Sequence, residues 1–366
     1  MRDGGVKYVD EYRDQNLVRM LAGLVRNSVK QNYIFMEVCG GHTSAIRRFG
    51  IPSLLPPQIK LVSGPGCPVC VTGTGFIDQA VALSRDPGNI VVTFGDLIRV
   101  PGSSSSLEKA RSEGSDIRIV FSGLEALNIA RENPGSKVIF LGIGFETTAP
   151  GTAVTVLEAK RAGLSNFRLL SAHKVMPPVM EALITGGTKI DGFICPGHVA
   201  AITGSSAFSF IPVQYGIACV VTGFEPVDIL HAILMLVNQI NKKMPQVEIQ
   251  YKRAVLPEGN KIAKNNISKV FESCDTEWRG FGIIPASGLK LSDEYSEFEA
   301  GHDNSGINSS MVTSSACICG DILRGLRTPE ECPLFATVCT PEDPEGACMV
   351  SEEGACNSYF RYVVNE

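Results

Sequence analysis

Eight apolar runs of strand type recur along this chain, each followed by a glycine-containing loop and then a stretch of helical periodicity. The runs are FMEVC, KLVS, NIVVTF, IRIVF, KVIFLGI, FRLLS, GFIC and IACVVT, near residues 35, 60, 89, 117, 137, 167, 192 and 217. Strands that alternate with helices build parallel sheets whose faces the helices cover. Eight such units could also close a (β/α)₈ barrel, and periodicity alone leaves that choice open. In either architecture ligands gather at the carboxyl ends of the strands. There the sequence places Cys39 and His42, Cys67 and Cys70, Gly95-Asp96, the run from Gly144 through Glu146 to Thr148, His173-Lys174, and Cys195 to His198. The result is a polar, sulfur-rich rim on an apolar scaffold.

At 366 residues the chain exceeds the roughly 250 to 300 at which one core stops growing, so two or three domains are expected. Within residues 1–31, Leu17, Met20, Leu21, Leu24 and Val25 fall at i, i+3, i+4, i+7 and i+8. This is an amphipathic helix expected to pack as a cover on a later domain, the C-terminal one. After a long apolar helix over Val227–Ile240 the composition changes at Pro245. Val247, Ile249 and Tyr251 then alternate with polar residues as in a half-exposed strand, and Ile267, Val270, Phe271 and Cys274 have helical spacing. A third, mixed domain over 241–366 accounts for this change.

The net charge of −5 leaves no basic footprint, which argues against nucleic acid as a partner. The opening MRDGGVKYVDEYRDQ lacks the apolar core of a signal peptide. No run of about 18 apolar residues offers a membrane span. The expected location is the cytoplasm, where twelve cysteines point to metal or redox work rather than to a disulfide framework.

Cys39 closes the first apolar run, Gly40-Gly41 is a turn, and His42, Thr43 and Ser44 are candidate caps for a helix through Ala45–Arg48. A thiol beside a helix amino terminus should ionise more easily than a free one, and the thiolate is the form that attacks or binds metal. Cys67 and Cys70 form a C-x-x-C on a Gly/Pro loop, suited to a reversible disulfide or half of a metal site. Six more cysteines, 317, 319, 332, 339, 348 and 356, crowd the tail without the paired C-x₂₋₄-C of a zinc knuckle. Their wider spacing suits a [4Fe–4S] cluster and leaves zinc open.

The run from Gly142 to Thr148 lacks the lysine of a phosphate loop. It could hold a small anion or a partner's segment, with Thr147 and Thr148 as caps and Glu146 as either the acid or base of the site or a structural carboxylate. His198 is a rim residue, and His231 belongs to a core or helix face. Cys195, Cys219 and Cys274 read as packing residues on apolar runs.

The strings MEVCGGHT, SGPGCPVC, GFETTAP and ICPGHVAAI, with the cysteine-rich tail, resemble those of the hydrogenase maturation factor HypD family over nearly the whole chain. The resemblance implies two Rossmann-like parallel α/β/α domains, 32–115 and 116–240 with the boundary near Ser115, plus a smaller mixed iron–sulfur domain. It implies a scaffold that builds the Fe(CN)₂CO unit of [NiFe] hydrogenases. Cys39, with His42 beside it as proton donor or orienting group, would hold iron that carries CN and CO ligands. A HypC-type small chaperone would supply a second thiolate, a HypE-type carrier would deliver cyanide, and the hydrogenase large subunit would be served indirectly.

The family's C-x₁₄-C-x₆-C-x₁₆-C falls on Cys317, Cys332, Cys339 and Cys356 as ligands of the [4Fe–4S] cluster, leaving Cys319 and Cys348 as a dithiol. Electrons would pass from the cluster through Cys319/Cys348 and Cys67/Cys70 to the iron at Cys39. Two readings from other classes compete: an iron–sulfur thiol/disulfide oxidoreductase, and a zinc-stabilised binding module.

Overall fold

The computed structural model describes residues 10–301 and 316–364. All eight apolar runs are strands: β1 Tyr33–Glu37, β2 Ile59–Ser63, β3 Asn89–Thr93, β4 Ile117–Ile119, β5 Lys137–Gly144, β6 Phe167–His173, β7 Gly192–Pro196 and β8 Ala218–Thr222. The alternating segment near residue 247 is β9, Val247–Ile249. These nine strands form two open parallel sheets, ordered β2-β1-β7-β8-β9 and β4-β3-β5-β6, so the barrel is not built. Burial follows position: β7 and β8, inside the first sheet, are buried at every residue, whereas β9 at its edge is half-buried throughout.

The two sheets do not follow one another along the chain. β3 to β6 form a unit inserted between β2 and β7, and the first sheet is completed only afterwards. Ser115 therefore does not mark a change of sheet, because β3 and β4 on either side of it pair, Val91 with Ile117. In the same way β9 lies beyond residue 241 yet is the edge of the first sheet.

The amino-terminal helix, Gln15–Ser28, starts at Asp14, whose carboxylate accepts from the Asn16 and Leu17 amides. It packs on the helix Pro226–Lys242 that covers the first sheet, burying Leu21 and Val25 in one apolar cluster with Ile229 and Ile233. Arg13 pairs with Glu225 at the start of that helix. The expected cover on the C-terminal domain is thus corrected. Only part of the apolar stripe is used, since Leu17, Met20 and Leu24 stay 40–52% exposed.

A second correction concerns the segment after residue 260. The helix Lys261–Val270 ends at Val270, and Phe271–Trp278 continues as β10, paired antiparallel with β11, Gly282–Leu291. Phe271 and Cys274 therefore lie on a strand. The hairpin extends the edge of the second sheet: the Val175 amide donates to the Ser287 carbonyl at 2.9 Å, and Ser171 Oγ donates to the Leu289 carbonyl at 2.7 Å. Trp278, fully buried, stacks on Phe145 at the end of β5, ring centroids 5.9 Å apart.

Candidate functional site

Three distant segments meet at Cys39. The residue is the N-cap of the helix Gly40–Arg48, directly after β1, as the sequence suggests. The expected side-chain caps are absent: Thr43 instead turns back to β1, its Oγ1 donating to Glu37 Oε1 at 2.6 Å, while the Cys39 amide donates to Glu37 Oε2 at 3.2 Å. The Gly64-Pro65-Gly66 loop lies flat against this turn. The Gly40 amide donates to the Gly66 carbonyl and the Gly64 amide to the Glu37 carbonyl, both at 2.8 Å. A Cβ on Gly66 would sit 2.1 Å from the Cys39 nitrogen, so only glycine permits this approach. From the tail, Glu353 closes on Gly40, where a Cβ would lie 2.5 Å from the Glu353 Cβ.

The electrostatics reverse the simple expectation for the thiol. The Gly41 and His42 amides do favour the thiolate, but burial outweighs them, and with Glu353 nearby it pushes Cys39 up to about 12. Although the residue keeps partial exposure, its thiol is therefore proton-bearing at neutral pH. Burial likewise raises Glu37 to about 8, against the bond from Thr43. Glu37 and Glu353 were not singled out in the sequence. Glu37 did carry a signal, as the one charge in the apolar run FMEVC; Glu353 carried none.

His42 is fully buried. Its Nε2 lies 2.9 Å from the Gly223 carbonyl, which can only accept, so Nε2 holds the proton and donates. Nδ1 is left buried without a partner. Burial lowers His42 to about 4, so at neutral pH the ring is an acceptor at Nδ1 and not the proton donor of the alternative reading. One face stacks on Phe224, centroids 4.4 Å apart, and exposed His198 stacks on Phe224 at 4.1 Å.

Beyond the Gly66 contact, thiols run in a row. Cys67 caps the short helix Pro68–Val71, and its Sγ accepts from the Cys70 amide at 3.3 Å. Cys70, whose thiol burial pushes well up, faces Cys348. Cys348 Sγ lies 2.6 Å from Cys319 Sγ. All six tail cysteines, Cys317, Cys319, Cys332, Cys339, Cys348 and Cys356, line one small cavity of about 10 Å³ whose other walls include Ile322, Leu334, Phe335 and Met349. Among the described residues no three His, Cys, Asp or Glu side chains converge as ligands of a single metal ion. A cubane asks for something else, four thiols spread around a dry space, one for each iron.

Glu146 is buried at the end of β5. Its Oε1 accepts from the Met176 amide at 2.9 Å, its Oε2 has no partner, and burial raises it to about 7. Thr148 does not cap its helix; its Oγ1 donates to the Ile143 and Phe145 carbonyls. Cys195 and Cys219 are buried in the first sheet's core, Cys274 is half-buried on β10, and His231 is exposed on a helix face. Among the described residues no helix is long and apolar enough to cross a membrane.

Fold and site together define a class of protein: a two-sheet α/β scaffold that sets a strand-end thiol beside a C-x-x-C loop and a cavity of six cysteines. The HypD family model, described as "Hydrogenase formation hypA family", matches residues 15–363. The chain is 46% identical to hydrogenase maturation factor HypD2 of Bradyrhizobium diazoefficiens, over 98% of this chain and 97% of that protein. It is 45% identical to hydrogenase maturation factor HypD of Azotobacter vinelandii, with the same shares covered. To that of Escherichia coli it is 41% identical over 98% of each chain. The chain belongs to the HypD family.

Proposed function

We propose that this chain is a cytoplasmic scaffold and redox protein for assembly of the Fe(CN)₂CO unit of [NiFe] hydrogenases. The observation that carries the reading is the adjacency of Cys39, the C-x-x-C loop and the six-cysteine cavity, joined through Gly66 and through the Cys70–Cys348–Cys319 row. Iron is the cargo. Cys39 gives up its proton to bind it, a HypC-type chaperone supplies a second thiolate, and soft sulfur ligands suit an iron that also carries cyanide and carbonyl.

Cyanide comes from a HypE-type carrier. Releasing it from a carrier thiocyanate breaks an S–C bond and takes two electrons, leaving a carrier thiolate and cyanide. Oxidation of the Cys67/Cys70 dithiol to a disulfide supplies that pair, and Cys348/Cys319 re-reduces it by thiol exchange along the row. Cys317, Cys332, Cys339 and Cys356 would hold a [4Fe–4S] cluster, and the cysteine-rich, otherwise apolar lining of their cavity fits such a group. A bound cluster would supply single electrons, two in succession from an external reductant, to the Cys319/Cys348 disulfide that this exchange leaves, returning it to the dithiol.

An anaerobic infrared spectrum of the protein co-produced with its HypC-type partner tests this. Two cyanide bands and one carbonyl band, absent in Cys39→Ala while the cluster's brown colour remains, are expected. A silent spectrum from cluster-replete, partner-bound protein in cells making the whole pathway would overturn the scaffold reading. The close Cys319–Cys348 contact would then favour a thiol/disulfide oxidoreductase.

A further inference from the structure

The loop Gly223–Glu225, between β8 and the helix Pro226–Lys242, reaches the Cys39 site through two groups. Its Gly223 carbonyl receives the His42 Nε2 proton, and its Phe224 ring lies between His42 and His198. That ring also lies against the turn beside Cys39, since a Cβ on Gly41 would be 3.1 Å from it and 3.7 Å from Cys39 Sγ. The loop has no regular structure of its own to fix it in this pose.

What fixes it is a buried network that sequence reading passed over. Asp228 is completely buried, and each of its carboxylate oxygens faces two donors. Oδ1 accepts from Gln250 Nε2 and Arg253 Nη1, both at 2.9 Å, and Oδ2 accepts from Arg253 Nη2 at 2.5 Å and the Glu225 amide at 3.4 Å. Gln250 then reaches forward, its Oε1 accepting from Thr222 Oγ1 at 3.0 Å and the Gly223 amide at 3.3 Å. Arg253 is packed between the rings of Tyr12 and Tyr251, 3.8 and 4.4 Å from their centroids. Gly223 lies so close that a Cβ there would meet Asp228 Oδ2 at 2.3 Å.

The loop's amides are thus pinned from behind, and the carbonyl of Gly223 is left pointing at His42. Which nitrogen of an imidazole holds the proton is set by what the other end of the ring meets. A buried ring with one partnered nitrogen has no second bond to hold that choice.

We propose that Asp228, acting through Gln250 and Arg253, is a positioning residue for the Cys39 site: it holds the Gly223 carbonyl that keeps His42, three residues after Cys39 on the helix that Cys39 caps, in the Nε2–H tautomer with its Nδ1 lone pair unpartnered. The proposal rests on the iron-scaffold reading for its functional consequence and on geometry alone for the tautomer.

The test is ring-¹⁵N NMR of the full-length protein labelled at histidine, five residues in all, at pH 7 and without iron or partners. In the unsubstituted protein the His42 signals should be those of a single Nε2–H tautomer. Asp228→Asn turns one acceptor into a donor that faces donors, so a mixture of the two His42 tautomers, or fast exchange between them, is expected. Gln250→Met, which removes the link to the Gly223 amide at the edge of the sheet, should do the same with less risk to folding. His173, whose Nε2 meets Thr152 Oγ1 elsewhere in the fold, must keep its signals and so reports native packing. An unchanged His42 tautomer in either variant with native His173 signals would overturn the proposal. Because no iron is present, this outcome is independent of the infrared test: absent cyanide bands would sink the scaffold reading alone, and unmoved His42 signals the positioning role alone.

Discussion

Replacing Gly66 by Ala strikes the contact that joins the two sulfur motifs. The added Cβ would stand 2.1 Å from the Cys39 nitrogen, 2.3 Å from its Cα and 2.5 Å from the Val38 carbonyl carbon. Unstrained carbon contacts lie at about 3.5–4.0 Å, so loop and strand end must part by more than about 1 Å. No flexible side chain can absorb that shift, because every atom met belongs to the backbone. Overpacking costs about 1–3 kcal/mol where neighbours can adjust. Here relief also breaks one of the two 2.8 Å bonds that hold the loop, for about 1 kcal/mol more.

A loss of about 2–4 kcal/mol is therefore expected for Gly66→Ala, read from urea midpoints. Gly23→Ala is the control: it lies inside the helix Gln15–Ser28 with nothing within 4 Å of its added Cβ, and it should gain up to about 1 kcal/mol. The same samples, loaded with iron and partner, should show weakened cyanide bands for Gly66→Ala and unchanged bands for Gly23→Ala. A Gly66→Ala protein within about 0.5 kcal/mol of the unsubstituted one, with full bands, would refute the reasoning.

Other residues yield sharper single readouts. Burial holds the Glu37 carboxyl neutral up to about 8 against an ordinary 4.5, so between these values the folded chain keeps a proton that the unfolded chain releases. Its contribution is full below about 4.5 and is lost as pH rises through about 8. Glu37→Gln should flatten that part of a Tm-against-pH curve, and an unaltered slope would count against the burial argument. Cys332→Ala and Cys339→Ala should each lose iron and acid-labile sulfide together, and unchanged iron content would remove them as ligands. Cys70→Ser should leave cluster iron in place but stop cyanide transfer from the carrier; transfer at the normal rate would take the C-x-x-C out of the electron route.

Local order along this chain is legible because parallel strands are short apolar runs with glycine at their ends. All eight runs became strands, and the alternation at Val247–Ile249 foretold a half-exposed strand, though not that it would edge the first sheet. Strand partners are another matter. A parallel strand buried on both faces carries little record of which neighbour it will take, so nothing in FMEVC announces that β1 pairs with β7 across an inserted sheet.

Around residue 271 the spacing of Phe271 and Cys274 fitted a helix. The turn between β10 and β11, with Gly280 and Gly282 both at positive φ, was the overlooked signal for a hairpin. At Cys39 the local rule of a helix amino terminus was sound, but it was outweighed by burial and by Glu353, which arrives from the far end of the sequence. The Asp228 network escaped notice for the same reason, since its members are scattered and none belongs to a motif.

The interleaved order of the two sheets also sets a timetable for synthesis. β1 and β2 leave the ribosome early, but β7, the other neighbour of β1, follows only about 150 residues later, roughly 8–30 s at ordinary elongation rates. The inserted unit has all four of its strands by His173, ahead of β7 at Gly192, and can close first. Throughout that interval one edge of β1 stays open, and Cys39, Cys67 and Cys70 stay uncovered. Cys348 and Glu353, which pack over them in the finished protein, emerge last. The thiols of this site are thus most exposed to oxidant and to chance metal ions during their own translation, the stage at which reducing surroundings matter most to this fold.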